Sequence, residues 1–315
     1  MESRWAGILH SGWQRLDAPL IGLPAMPIHG PVPDWLFSGS IAITLWVVMF
    51  HLGLTVASRE FRSELTHPGR LLKGLFAVLI VVPALALAVA KNLDLGRAAE
   101  IGIVLMSISP GAPLALHRSI NAGGKRSYAT VLQIMVSLLV VFSMPTWLWA
   151  LDKVYDGHAE IVPWQLTKQV FLAQLLPLCI GISLHQTAPR AAEWLNPRLA
   201  PLATGLLLIL IPLTIFNIWD VVIGEHWRVI VAVAVITVLA LTLGHLLGGP
   251  EPATRTATAI ASAARNPGLA LLVASLNGAK AEVIAAVLAY FIISAITALP
   301  YAIWRRQISR SSDPD

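Results

Sequence analysis

Ala263-Ala264-Arg265-Asn266-Pro267-Gly268-Leu269-Ala270-Leu271 lies in the middle of an apolar segment that runs from about Thr256 to Leu276. A segment of this length predicts a membrane-spanning helix, because roughly 20 residues at about 1.5 Å of rise cross the hydrocarbon. Its centre cannot be regular helix. Pro267 brings no backbone donor and crowds the preceding turn, and Gly268 loosens the chain further, so a break is predicted between Arg265 and Gly268. Asn266-Pro267 then reads as a new start, a capping side chain followed by proline at the first helical position. Interrupted backbone at membrane depth is tolerated only where it is buried in protein or lines a wet cavity.

The same grammar recurs at Ser107-Ile108-Ser109-Pro110-Gly111-Ala112-Pro113-Leu114-Ala115-Leu116, within the apolar segment from about Ala98 to His117. Here Ser109 is the expected cap, Pro110 the first helical residue and Gly111 the loosener. Ser109 and Asn266 are separated by 157 residues.

Composition fits two broken spans in a membrane protein. Of the 315 residues, 56% are hydrophobic and 12% charged, and the mean hydropathy is +0.72, which predicts an all-α polytopic chain. The net charge of +5 sits in short loops between apolar runs, so no nucleic-acid partner is expected. The single Cys179 excludes an internal disulfide and reads as a small core residue. Phosphate loops, zinc spacings and nucleophile elbows are absent, so no enzyme, metal site or cofactor is expected. Asn121-Ala122-Gly123-Gly124 reads as a turn rather than a nucleotide cradle.

Outward from the two breaks, nine spans are predicted: Leu36–Ser58, Leu71–Ala90, Ala98–His117, Tyr128–Ala150, Val170–Leu184, Leu199–Ile223, Val229–Gly248, Thr256–Leu276 and Val283–Trp304. Alternate loops carry thirteen Lys and Arg against six on the opposite side. That excess predicts a cytoplasmic C-terminus and an outer start at Leu36, with the plasma membrane as the expected location. Shifting the first-half starts by 157 residues lands close to the starts at 199, 229, 256 and 283, and paired spans run in opposite directions. Two inverted repeats are therefore predicted, at 35–158 and 159–306, with a cytoplasmic tail at 307–315. Residues 1–34, holding Trp5, Trp13 and the prolines at 24 and 27, are an interfacial segment or a degenerate first helix, giving nine spans or ten.

Met49-Phe50-His51-Leu52-Gly53-Leu54-Thr55-Val56, Arg62 with His67-Pro68, and the two breaks together resemble the bile acid:sodium symporter family over roughly Leu36 to Trp304. The resemblance implies five-helix inverted repeats, a panel domain, and a core domain in which two discontinuous helices cross. It also implies secondary transport of a small organic anion by alternating access, usually with sodium. Sodium-coupled members carry a Ser-Asn pair where Ala115 and Leu116 stand. They carry a glutamate and a Gln-Asn pair where this chain has Ala261 and Arg265-Asn266, and Thr130 and Gln133 replace small hydroxyl ligands. With these positions substituted, sodium coupling is doubtful. Sodium, protons or uncoupled exchange all stay open, as does a membrane binding protein that does not transport.

The candidate substrate-binding residues are Arg265, Asn266, Ser109, Gly111, Gly268 and Gln133. A mid-membrane arginine costs about 2.5–3.5 kcal/mol on insertion scales and needs an interior partner. Arg265 either holds an anionic group beside the half-helix N-terminus or caps carbonyls of the preceding half-helix. Glu100, His51 and His117 are the candidates for ion coupling, Glu100 also suiting a snorkelling role and His51 a core histidine. Gln174 and Asn217 either line a cavity or bond between helices.

Overall fold

The computed structural model describes residues 34–55, 63–154, 163–217 and 227–311, and every regular element among them is helical. In chain order these are α1 (Asp34–Leu54), α2 (Pro68–Asn92, with a π turn at Ala77–Val81), α3 (Arg97–Ser107), α4 (Pro113–Asn121) and α5 (Arg126–Val154). They are followed by α6 (residues 163–187, with a π turn at Phe171–Leu175), α7 (Pro189–Asn217), α8 (Trp227–Leu247), α9 (Pro252–Ala263), α10 (Pro267–Leu276) and α11 (Ala281–Ser311). The expected N-terminal segment lies outside the described residues, apart from Asp34, which opens α1.

Six helical segments are long and apolar enough to cross a membrane among the described residues: Pro68–Asn92, Arg126–Leu151, Gln165–Thr187, Trp227–Leu247, Pro252–Leu276 and Ala281–Ser311. Gly39–Leu54 is a shorter apolar helix. The Pro252–Leu276 segment, which holds Arg265, has 78% of its apolar window buried against at most 50% in the other five. It is the element the others surround. Large side chains such as Ile43, Leu72, Phe142, Leu208, Leu246 and Ile296 are exposed on the outside, as expected where lipid rather than water is the solvent. Cys179 also faces outward. Sequence makes it a core residue, but it precedes Ile180 on the exposed side of α6, where an apolar thiol meets lipid without penalty.

Helix starts differ from expectation at a few places. α7 begins at Pro189, ten residues before Leu199: its polar opening turns, Pro189 to Arg198, fall outside the hydropathic span, and it carries prolines at 197, 201 and 212 within the helix. α9 begins at Pro252 rather than Thr256, after an extended Glu251. α11 continues through Ser311, so the tail expected from residue 307 starts as helix. The starts Asp34, Pro68, Arg97, Pro113 and Arg126 recur at Pro189, Trp227, Pro252, Pro267 and Ala281, which lie 155, 159, 155, 154 and 155 residues further on.

Two contacts set the packing. α1 and α6 touch backbone to backbone at Gly53 and Gly181: a Cβ on Gly53 would overlap the Leu178 carbonyl oxygen, and one on Gly181 the Phe50 carbonyl oxygen. Small residues permit such close approach where helices cannot gain hydrophobic energy from leaving lipid. At one end of the bundle, Glu64 is buried and meets Arg70 (3.4 Å), Lys125 (3.3 Å) and the Ser127 hydroxyl (2.7 Å). Arg70 also pairs with Glu251 at 3.0 Å, so this network ties the starts of α2, α5 and α9 together. Replacing Gly53 with Val should force α1 off α6 and cost about 1–3 kcal/mol, read as a lower unfolding temperature in detergent. Leu208→Ala, on the exposed surface, should leave that temperature unchanged.

Candidate functional site

Both interruptions exist, and they meet. α9 ends at Ala263, residues 264–266 are non-helical, and α10 starts at Pro267 with Asn266 as its cap, its Oδ1 accepting the Leu269 N–H at 3.1 Å. This is the arrangement the Asn-Pro pair predicts. The first break is longer. α3 ends at Ser107 and α4 begins at Pro113 with Ala112 extended before it, so the expected cap at Ser109 and helical start at Pro110 are corrected. Ser109 and Ala112 both precede proline, which biases each away from helical dihedrals. Gly111 between them takes φ +87°, a left-handed conformation that only glycine adopts without strain. The chain therefore resumes helix after the second proline, and the Ser109 hydroxyl turns back to the Leu105 carbonyl at 2.7 Å. The main chains of the two breaks are joined directly by the Asn266 N–H donating to the Ser109 carbonyl at 2.8 Å.

Arg265 sits beside this joint with 2% exposure. Its guanidinium donates through Nη1 to the Val78 carbonyl (3.1 Å) and the Ser107 carbonyl (3.0 Å), and through Nη2 to the Ser262 carbonyl. Each acceptor has a local reason to be free. In α2's π turn, the Val82 N–H is taken by the Ala77 carbonyl and Pro83 has none to give, which leaves the Val78 oxygen open. Ser107 is the last residue of α3, and Pro110 three residues on has no N–H. Ser262 lies in the last turn of α9, and the amide four residues on, Asn266, is bonded to Ser109 instead. The negative ends of α3 and α9 thus point at one positive charge. Bonds to a charged donor contribute about 1.5–3 kcal/mol each, enough to hold an arginine at this depth.

On the other side of the joint lies a polar patch. A Cβ on Gly111 would come within 3.2 Å of Ser137 Oγ and 3.6 Å of Gln174 Nε2, so α5 and the π turn of α6 converge on the first break. Gln174 Nε2 donates to the Ser137 carbonyl at 3.4 Å. Gln133 is buried one helical turn before Ser137 on the same face of α5. Among the described residues, Gln133 Nε2, Ser137 Oγ, Gln174 Oε1 and Asn266 Nδ2 are buried without a hydrogen-bond partner. Buried polar atoms in an apolar helical protein are costly when unpaired, and Ser262 Oγ and Arg265 Nε, beside the guanidinium's carbonyls, are unpartnered too. The N-terminal ends of α4 and α10, positive by the helix dipole, belong to the same two breaks. Gly268 lies by Leu45 of α1, at 3.8 Å for its would-be Cβ, which brings α1 to the second break.

The remaining candidates are scattered. Glu100 pairs with Arg97 at 3.5 Å in the first turn of α3, away from the break. His117 is exposed on α4. His51 on α1 is half-buried, and its Nδ1 is buried and unpartnered. Ser137 and Val78 were not distinguishable in the sequence as site residues. Ser137 follows Gln133 at helical spacing, a signal that could have found it; the π turn beside Val78 is marked by Pro83, two residues after its end, as Pro177 follows the π turn of α6.

The model of the Sodium Bile acid symporter family matches residues 42–225, well over half of the chain, and the chain belongs to that family. The matched stretch includes the first break and stops short of Arg265. Among its relatives, a probable chloroplastic sodium/metabolite cotransporter of Oryza sativa subsp. japonica is 24% identical over 216 residues, 68% of this chain and 50% of the relative. A sodium-dependent organic anion transporter of Rattus norvegicus is 21% identical over 208 residues, 66% of this chain and 55% of the relative. An uncharacterized sodium-dependent transporter of Bacillus subtilis is 23% identical over 145 residues. The chain spans about half the length of the curated relatives it matches. These relatives are named as transporters and none as an enzyme, and family and apolar helices together make this an integral, multi-pass membrane protein.

Asn266→Ala should cost about 1 kcal/mol of stability through the lost cap, measured by thermal unfolding. Asn266→Ser, which can still accept from the Leu269 N–H, should recover most of it.

Proposed function

We propose that this chain is a secondary transporter of a small organic anion, working by alternating access with its substrate at the joined breaks. The observation that carries the reading is the group of unpartnered buried polar atoms, on Gln133, Ser137, Gln174 and Asn266, close to two interrupted helices. Two of these atoms are amide donors, and the adjoining N-terminal helix ends are positive, so the patch favours a negatively charged or strongly accepting ligand. The names of the relatives, which include an organic anion transporter, agree with that class.

The architecture in this proposal is two inverted repeats, 35–158 and 159–306, with nine or ten spans and α3–α4 crossing α9–α10. Helix starts that recur 154–159 residues apart support the duplication. The moving core consists of α2 to α5 with α8 to α11, and α1, α6 and α7 form the panel, the Gly53–Gly181 contact stiffening the latter. The C-terminus is cytoplasmic on the excess of basic residues at that end, in the plasma membrane. Ser109 contributes its carbonyl to the joint, Gly111 lets α5 and α6 approach, Gly268 does the same for α1, and Arg265 fixes the geometry through its carbonyls.

Sodium, which the relatives' names imply, does not fit the carbonyl set at the joint, because that set is already filled by a guanidinium. Proton coupling is the second reading, and one observation favours it: the Nδ1 of His51 on α1 is buried without a hydrogen-bond partner. In that case an imposed pH gradient should drive uptake in proteoliposomes, and His51→Gln should abolish the drive while leaving exchange at equal pH.

Uptake of labelled small carboxylates into proteoliposomes tests the main reading. Accumulation or counterflow of at least one such anion is expected. Gln133→Leu and Ser137→Ala should each weaken it about tenfold, the effect of losing one bond to a charged ligand. Failure to move any anion, with the protein folded and inserted, would contradict the proposal.

A further inference from the structure

This inference rests on the joint of the two breaks being the transport site. We infer that Arg265 is a tethered counter-cation: its guanidinium occupies the position that a free inorganic cation would need to fill, so anion transport by this chain requires no sodium. The three acceptors come from three separate elements, α2, α3 and α9, and none has a helical amide to return to. Main-chain carbonyls from unwound backbone and from the C-terminal ends of half-helices are what membrane proteins use to hold small cations. Here one side chain takes three of them.

The charge balance at the joint points the same way. Among the described residues the buried carboxylate is Glu64, and it is engaged by Arg70, Lys125 and Ser127 at the end of the bundle. The joint therefore has only partial negative charge from helix ends, enough for one monovalent cation. A second cation placed beside the guanidinium would meet direct like-charge repulsion, with no carboxylate among the described residues at hand to offset it. Covalent attachment also removes the entropic cost of capturing an ion.

The test compares thermal unfolding of the purified full chain, Arg265→Ala and Arg265→Lys in chloride salts of sodium, potassium, guanidinium and N-methylglucamine at equal ionic strength and millimolar cation. The wild-type chain should unfold at the same temperature in all four. Arg265→Ala should lose several degrees and regain them, saturably, with guanidinium or sodium but not with N-methylglucamine, whereas Arg265→Lys should stay indifferent to the salt. Saturable sodium stabilisation of the wild-type chain, or an Arg265→Ala variant that no small cation restores, would overturn the inference. If Arg265→Ala does not fold, wild-type anion uptake decides it: equal rates with sodium or N-methylglucamine on both sides support the inference, and strict dependence on sodium defeats it. Absence of uptake in every salt would count against the transport reading instead, the wild-type unfolding series still deciding the cation question.

Discussion

One buried positive charge answering three carbonyl oxygens is the constraint on which this fold turns. A helix broken inside a membrane exposes main-chain acceptors that water cannot reach, and two such helices meeting double the problem. Arg265 solves it for both at once. It draws together the end of α3, the end of α9 and the π turn of α2. Without a charge there, the negative ends of α3 and α9 would face each other across a low-dielectric gap.

From that arrangement the rest of the site inherits its polarity. Because the C-terminal ends of the half-helices point at the guanidinium, their partners' N-terminal ends are left for whatever lies on the other side of the joint. Gly111, Ser137, Gln174 and Asn266 surround that side with little bulk and several unpaired polar atoms. Beside the fixed cation bound by carbonyls, the proposed anion is seated at two amide donors and one hydroxyl, on Gln133, Asn266 and Ser137, with the Gln174 Oε1 as the one acceptor. The ion network around Glu64 and the glycine contact between α1 and α6 are far simpler devices, holding helix ends and helix faces in register.

Much of this was legible in the sequence because proline and asparagine are explicit about backbone. Asn266-Pro267 could only be a restart, and the structure has it at that residue. The first break was harder, since Pro110 and Pro113 both offer a restart and only the three-dimensional path of Gly111 selects the later one. Each of the six apolar helical segments falls on a span expected from hydropathy, but the start of α7 was set ten residues late, because its first turns, from Pro189 to Arg198, are polar. Arg265 was recognisable as an interior cation in need of partners, whereas its partners were not. They are main-chain oxygens, and a residue's identity says nothing about whether its carbonyl is free. The π turn that frees Val78 ends two residues before Pro83, as the one in α6 ends two residues before Pro177, so its mark in the sequence is a proline inside an apolar span.

The most direct test is an experimental density map of the chain with a small carboxylate bound. This account predicts the anion beside Asn266 and Gln174, with the Arg265 guanidinium still on the carbonyls of Val78, Ser107 and Ser262. A guanidinium turned away from those oxygens to grip the anion, or two breaks no longer joined through Asn266 and Ser109, would contradict it.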